Sequence, residues 1–328
     1  MKPRILMIHT GGTLGMAPQG DPSSLAPGPS LERILEQVPE LAKVADLSLA
    51  VPFNRDSAAL EPEHILQLAR LLREGLADCQ GAVVVHGTDT MAFTASVLGF
   101  LLGGQGKPVV LTGSQRPLAY VRTDARGNLV DAVSIAAQGV PEVGICFGDH
   151  WLRGVACDKV SVHRYQAFES PNLPPLAELG LTIQFHPHAG AFERRTPAWV
   201  REALEPAIEV RTPFPGQPWL PLGEGTRGVV IQGFGAGNLP MDRPDLQAFL
   251  ASCRDRGVPV VVVSQCLSGG VDLQTYDLGR QARELGAIPG GRHTRWAAVA
   301  KLALVLGAGR GRKEAEEAFA TSWAGEPL

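Results

Sequence analysis

Long apolar runs are missing from this 328-residue chain. A membrane-spanning helix needs about 20 consecutive apolar residues, and the windows VSIAAQGV and WAAVAKLALVLG are too short or interrupted. The first apolar run, in MKPRILMIHTGG, is about five residues long against the ~7–15 of a secretory leader, so it reads as a first strand. Cysteine is sparse: Cys79, Cys146, Cys157, Cys253 and Cys266 are odd in number and lack CxxC spacing. That pattern argues against a disulfide framework or a zinc knuckle and points to a reducing cytoplasm. No Lys/Arg block stands out and the formal net charge is −3, so the electrostatic footprint of a nucleic-acid or anionic-membrane binder is absent. The glycine-rich HTGGTLG matches neither GxGxxG nor GxxxxGK[ST], which argues against a nucleotide site there. A small-molecule partner is expected.

What is present is an ordinary globular composition, 45% hydrophobic and 19% charged. The length exceeds the ~250–300 residues at which single cores stop growing, so two domains are expected. Short β-branched runs at Arg4 to His9, Ala82 to His86, Val109 to Thr112, Val143 to Phe147, Val229 to Gln232 and Val258 to Ser264 read as strands. Helical patterns such as PEHILQLARLLREGLADC, MAFTASVLGFLLGGQ and ARGNLVDAVSIAAQG lie between them. Strands alternating with helices predict an α/β fold with a mostly parallel sheet covered on both faces. The pattern weakens into Pro- and Gly-rich sequence between about 186 and 226. The expected organisation is a larger N-terminal, mostly parallel-sheet domain over 1–190, a connector over 191–205 and a smaller C-terminal α/β domain over 206–328.

Several predicted strands end in polar clusters: His9-Thr10-Gly11-Gly12-Thr13, His86-Gly87-Thr88-Asp89 and Thr112-Gly113-Ser114-Gln115. Open α/β sheets bind ligands outside the carboxyl ends of their strands, so these loops are expected to converge. HTGGTLG allows three readings: a tight turn using Gly11 and Gly12, a phosphate cradle, or a loop in which Thr13 attacks a carbonyl beside backbone N–H groups. In HGTDTM, Thr88 and Asp89 either cap the next helix or bind a substrate ammonium and activate a water.

Thr10-Gly11-Gly12-Thr13 near the N-terminus followed by His86-Gly87-Thr88-Asp89-Thr90-Met91 resembles the L-asparaginase family. TGSQRPL (Thr112 to Leu118), RTDARGNL (Arg122 to Leu129), Lys159, ESPNLPPL (Glu169 to Leu176), GFGAGN (Gly233 to Asn238) and SQCLSGG (Ser264 to Gly270) carry the likeness along nearly the whole chain. SPNLPP and the missing leader resemble the cytoplasmic, type I branch. The resemblance implies hydrolysis of the side-chain amide of L-asparagine, with L-glutamine as an alternative substrate, without metal or cofactor. It also implies a homodimer or homotetramer with sites between subunits, and no nucleic-acid or membrane partner.

Carried onto this sequence, the resemblance implies Thr13 as nucleophile, with Thr88, Asp89 and Lys159 as the second polar group. A threonine hydroxyl needs a base; Lys159 serves, directly or through Thr88, only as a neutral amine, which burial favours and a nearby Asp opposes. Asp89 is expected to pair with the substrate ammonium and orient Lys159. Asp56 and Ser57 are expected at the α-carboxylate, the backbone around Ser114 at the carboxamide, and Asn238 from a partner subunit.

Two departures stand out. The loop after Thr13 lacks the family's tyrosine, Ser23 falling about there, and Ala58 replaces a polar residue. His9 and His86 are expected to make structural hydrogen bonds, and the HPH of His186 and His188 lacks companions for a metal. Cys266 lies in a segment resembling a regulatory region of some type I enzymes. Two rival functions remain: the asparaginase-like subunit of a tRNA-dependent amidotransferase, and a catalytically weak asparagine sensor.

Overall fold

The computed structural model describes residues 2–19, 21–27 and 31–328, and for those between 16 and 33 the secondary structure alone. The chain divides into two compact units, Met1–Ser170 with Pro174–Arg194, and Pro171–Leu173 with Arg195–Leu328. The main division falls between Arg194 and Arg195. The return of Pro171–Leu173 to the second unit has no periodicity that could announce it.

In the first unit the elements are β1 (Arg4–His9), β2 (Met16–Gln19), β3 (Asp21–Pro27), α1 (Leu31–Gln37), α2 (Leu41–Val44), β4 (Asp46–Ala50), α3 (Pro62–Gly75), β5 (Gly81–Val85), α4 (Met91–Leu102), β6 (Val109–Thr112), α5 (Ala125–Gln138), β7 (Val143–Phe147), β8 (His150–Arg153), β9 (Asp158–Lys159), β10 (Phe168–Glu169), β11 (Ala177–Leu179) and β12 (Ile183–Phe185). Eight of these strands form one sheet in the order β12-β11-β8-β7-β6-β5-β1-β4. The run from β4 to β7 is parallel. β8, β11 and β12 continue it antiparallel.

The central parallel strands β1, β5, β6 and β7 are largely apolar runs because both their faces are covered, whereas the edge strand β4 is half exposed. Ile5, Met7, Val83, Val85 and Val110 share a core with Leu129, Ala132, Val133 and Ala136 of α5. Full burial of one such Val or Leu stabilises by about 1.5–3 kcal/mol. α3 starts where Pro62 occupies its first turn and the Glu61 N–H donates to His64 Nδ1 at 3.1 Å. α5 stops where Gly139 takes φ +77°, which a Cβ would disfavour.

Register decides where the site lies. His9 stands opposite Val85, and Val85 opposite Thr112. Three neighbouring parallel strands therefore end at one level, and the polar loops begin side by side.

The second unit holds β13 (Ile208–Arg211), β14 (Gly228–Gly233), α6 (Pro244–Asp255), β15 (Val260–Ser264), α7 (Asp277–Glu284), β16 (Ala287–Pro289), α8 (Arg295–Gly307) and α9 (Arg312–Phe319). Its four strands are parallel, in the order β13-β14-β15-β16. The fully buried Lys301 of α8 donates to Glu326 Oε1 at 2.6 Å and to the Thr321 carbonyl at 2.7 Å. Glu326 also accepts from the Trp323 and Ala324 N–H groups, which ties the last residues to α8.

Candidate active site

The site starts from close backbone contacts that only glycine permits. Gly11 has φ +115° and Gly12 φ +91°. A Cβ on Gly12 would stand 2.5 Å from the Gly87 Cα, and one on Gly87 would stand 2.6 Å from Ser57 Oγ. A Cβ on Gly11 would collide with the Arg55 carbonyl, and one on Gly113 with that of His86. Four loops, those carrying Thr13, Ser57, Thr88 and Ser114, are thereby stacked on one another.

Hydrogen bonds fix the stack. The Thr10 N–H and hydroxyl both donate to the Val85 carbonyl at 3.0 Å, and the Arg55 N–H donates to the Thr10 carbonyl at 2.9 Å. The His86 N–H donates to the Thr112 carbonyl at 2.8 Å, and Thr90 Oγ1 donates to the Ser57 carbonyl at 2.9 Å. Thr13 opens a 3-10 turn, Thr13–Gly15, whose Leu14 is buried and accepts from the Leu118 N–H at 3.2 Å.

The polar centre is a triad joined across about 70 residues of sequence: Lys159 Nζ donates to Thr88 Oγ1 at 2.9 Å and to Asp89 Oδ1 at 2.7 Å. The Lys159 side chain is 15% exposed and that of Asp89 64%, so the ion pair is screened and its worth lies in orientation rather than stability. Lys159 is held from below by β9, where it pairs with Phe168 of β10, whose ring packs 5.1 Å from that of Phe147. Thr88 and Asp89 do not cap α4: its N-cap is Thr90, with no side-chain cap bond. The capping reading of HGTDTM is therefore set aside.

Ser57 and Ser114 are both buried in this cluster. Ser114 Oγ has no hydrogen-bond partner among the described residues. Asp56 is exposed, and its Oδ1 accepts from the Ala58 N–H at 2.8 Å, capping the turn that buries Ser57. Asn238 belongs to the second unit, in a turn closed by backbone bonds with Phe234. Ser23 falls in β3, where side chains lie outside the described residues.

Two groups quoted within those motifs, but given no role from sequence, also matter. Gln115 donates from Nε2 to the Ser161 and Arg164 carbonyls at 3.2 Å, tying the loop after Lys159 to the Ser114 loop. Thr90 links the Asp89 turn to Ser57. Polar residues flanking a glycine-bearing strand end were the available signal.

Burial pushes the His86 imidazole down to a pKa of about 4, against a weaker upward pull from the Gly87 carbonyl. His86 makes the expected structural bonds, Nδ1 to Gly87 O at 2.7 Å and Nε2 to Thr94 Oγ1 at 3.1 Å. In His9, Nδ1 has no partner among the described residues. Among these residues no cluster of three His, Cys, Asp or Glu side chains is arranged for a metal, and no helix is long and apolar enough to cross a membrane.

A family model described as "Asparaginase, N-terminal" matches residues 4–190, more than half the chain. The chain belongs to the asparaginase family. A second model, "Glutaminase/Asparaginase C-terminal domain", matches residues 220–319. "L-asparaginase 1" of Escherichia coli strain K12 is 34% identical across 93% of this chain and 92% of its own length. The solved L-asparaginase I of Vibrio cholerae superposes with a TM-score of 0.87, at 31% identity and 100% coverage of both chains. "60 kDa lysophospholipase" of Mus musculus is 36% identical across 93% of this chain. The chain spans only 58% of that mouse relative's length. The fold class expected from the sequence, a large mostly parallel sheet unit and a smaller α/β unit, is that of this asparaginase-family hydrolase.

Proposed function

We propose that the chain is a cytoplasmic L-asparaginase, which hydrolyses L-asparagine to L-aspartate and ammonia with Thr13 as the nucleophile. The carrying observation is the Lys159 ammonium bonded to Thr88 Oγ1 and Asp89 Oδ1 on a turn packed against the one that presents Thr13.

The bond directions define the roles. While Lys159 donates to Thr88, the Thr88 oxygen is an acceptor and its own proton points elsewhere, toward substrate or water. With the amine neutral the direction reverses: Thr88 donates to Nζ, and its oxygen can take a proton from the attacking group. Thr13 Oγ adds to the amide carbon and the carbonyl electrons move to oxygen, where backbone N–H groups stabilise the charge. Collapse expels the amine, which gains a proton and leaves as ammonia. Water, deprotonated through Thr88 and Lys159, adds to the resulting ester, and Thr13 leaves with a proton.

One Asp89 oxygen is engaged by Lys159 and the other is directed at the substrate α-ammonium. Ser57, its turn capped by Asp56, meets the α-carboxylate. The backbone at Ser114 meets the carboxamide, and Asn238 reaches the site from a second copy in a homodimer or homotetramer. No metal or cofactor is called for. Glutamine differs from asparagine by one methylene, worth only about 1–3 kcal/mol of discrimination.

The test is ammonia release from asparagine and glutamine by the wild-type chain beside Thr13→Ala and Thr88→Ala. Both variants are expected to lose on the order of 10³-fold or more in turnover while remaining folded. Unchanged turnover in Thr13→Ala overturns the nucleophile assignment.

A further inference from the structure

The segment RTDARGNL leads into α5. Its Asp124 stands at the N-cap, where an Asp ordinarily turns its carboxylate onto the first helical N–H groups, yet it makes no cap bond. The Ala125 N–H donates to Thr123 Oγ1 instead, at 3.0 Å. Both Asp124 oxygens serve another loop: Oδ2 accepts from the Gln115 N–H at 2.8 Å and Oδ1 from the Arg116 N–H at 3.1 Å. One turn along α5, the buried Asn128 donates from Nδ2 to the Gly113 carbonyl at 2.9 Å and to Asp124 Oδ2 at 3.2 Å, while its Oδ1 accepts from the Gly148 N–H at 3.1 Å. Acceptors on one side and an N–H on the other leave that amide a single orientation.

These bonds grip one loop on both sides of one residue. Gly113 is held through its carbonyl, Gln115 and Arg116 through their N–H groups, and the Arg116 carbonyl accepts from Thr123 Oγ1 at 3.0 Å. Between the anchors lies the buried Ser114, whose Oγ and backbone groups have no partner among the described residues. A carboxylate that receives two backbone N–H groups makes charge-assisted bonds, about twice as strong as neutral ones, so α5 fixes the loop more firmly than the loop's own turn could. The same loop packs Gly113 on the His86 carbonyl, and its Leu118 N–H donates to the Leu14 carbonyl in the turn that Thr13 opens. Where Ser114 stands relative to Thr13 and Thr88 is therefore set from α5.

We propose that Asp124, aligned by Asn128, is a positioning residue that makes the site prefer asparagine to glutamine: it holds the Ser114 backbone at the distance from Asp89 and Ser57 that the asparagine side chain spans. This deepens the amidohydrolase reading and rests on it, since that reading places the carboxamide at Ser114. Asp124 itself does not touch the substrate. Glutamine carries its carboxamide one methylene further, and a wall that cannot retreat discriminates against it by about 10- to 200-fold. A wall released from Asp124 admits it.

The test measures kcat/KM for asparagine and for glutamine, together with Tm, in wild type and three variants. Asp124→Ala frees both N–H groups, and its asparagine-to-glutamine ratio is expected to fall about tenfold, through a loss on asparagine larger than that on glutamine. Asp124→Asn keeps one acceptor oxygen and falls between Asp124→Ala and wild type. Arg126→Ala removes bonds from the same helix to Glu40 and to the Gln37 carbonyl; it keeps the wild-type ratio whatever its Tm, which separates positioning from mere support of α5. An unchanged ratio in Asp124→Ala, an equal change in Arg126→Ala, or a wild type that takes both amides alike overturns the proposal; if Asp124→Ala does not fold, the ratio in Asp124→Asn decides. Thr13→Ala in the same assay separates the two levels: full turnover there sinks the amidohydrolase reading itself, whereas a dead Thr13→Ala beside an unchanged ratio in Asp124→Ala sinks only the role of Asp124.

Discussion

The loops at residues 9–13 and 86–90 leave adjacent strands at one level, both opening with a buried histidine, yet they are built differently. The second runs directly into α4, and Lys159 clamps its Thr88 and Asp89 side chains. The first has no helix to lean on and reaches its 3-10 turn only through two glycines with positive φ. One loop is held by the side-chain bonds of Lys159, the other by the Thr10 bonds to the Val85 carbonyl and by close backbone contact at its glycines. Similar strand-end sequences thus divide their labour according to the element each one enters.

The sharpest way to break this comparison is to remove the clamp. Lys159→Met is expected to lower kcat for asparagine about 10³-fold with the far-ultraviolet dichroism unchanged, the scale of lost acid–base assistance; a modest loss would mean that the Thr88 loop stands without its clamp.

The next contrast concerns protons. Both histidines have folded pKa values near 4 against an ordinary 6.5. The unfolded chain binds more protons between those values, so each buried neutral ring carries no penalty above pH 6.5 and weakens folding as the pH falls toward 4, by up to about 3 kcal/mol for each. Denaturant melts across that window should show the slope, and His9→Leu should remove roughly half of it.

Asp89→Asn should raise KM for asparagine about 10- to 100-fold, the value of a charge-assisted bond, with a smaller effect on kcat. Gly12→Ala asks how far the first loop depends on close approach: its φ of +91° and the 2.5 Å clash with Gly87 should cost more than the ~1–2 kcal/mol of left-handed strain alone, read as a lower Tm together with lost turnover.

The smallest effect sharpens the comparison most. His86→Leu orphans the Gly87 carbonyl and the Thr94 hydroxyl and should cost about 1–3 kcal/mol, whereas His9→Leu should cost nothing in stability. Equal costs would erase the distinction between the two loops.

Much of the parallel sheet was legible because a strand buried on both faces must be apolar throughout, as GAVVV of β5 is. The antiparallel strands β8, β11 and β12 were not, since three or four residues carry too little period to register. In the site, Thr13, Thr88 and Asp89 were readable from local motifs. That Thr90 reaches Ser57, that Gln115 braces the loop after Lys159, and that His9 differs from His86 were not readable, because each depends on what lies across a strand or a turn.

The sequence by itself determined the alternation of strands and helices, the polar strand ends and the family, because periodicity and short motifs are local properties. Tertiary structure alone decided that strands end level, that Gly12 meets Gly87, and that Lys159 crosses about 70 residues to reach Thr88 and Asp89. The physical reason is that register and close backbone approach arise only when distant segments pack, and no single segment carries the information for either.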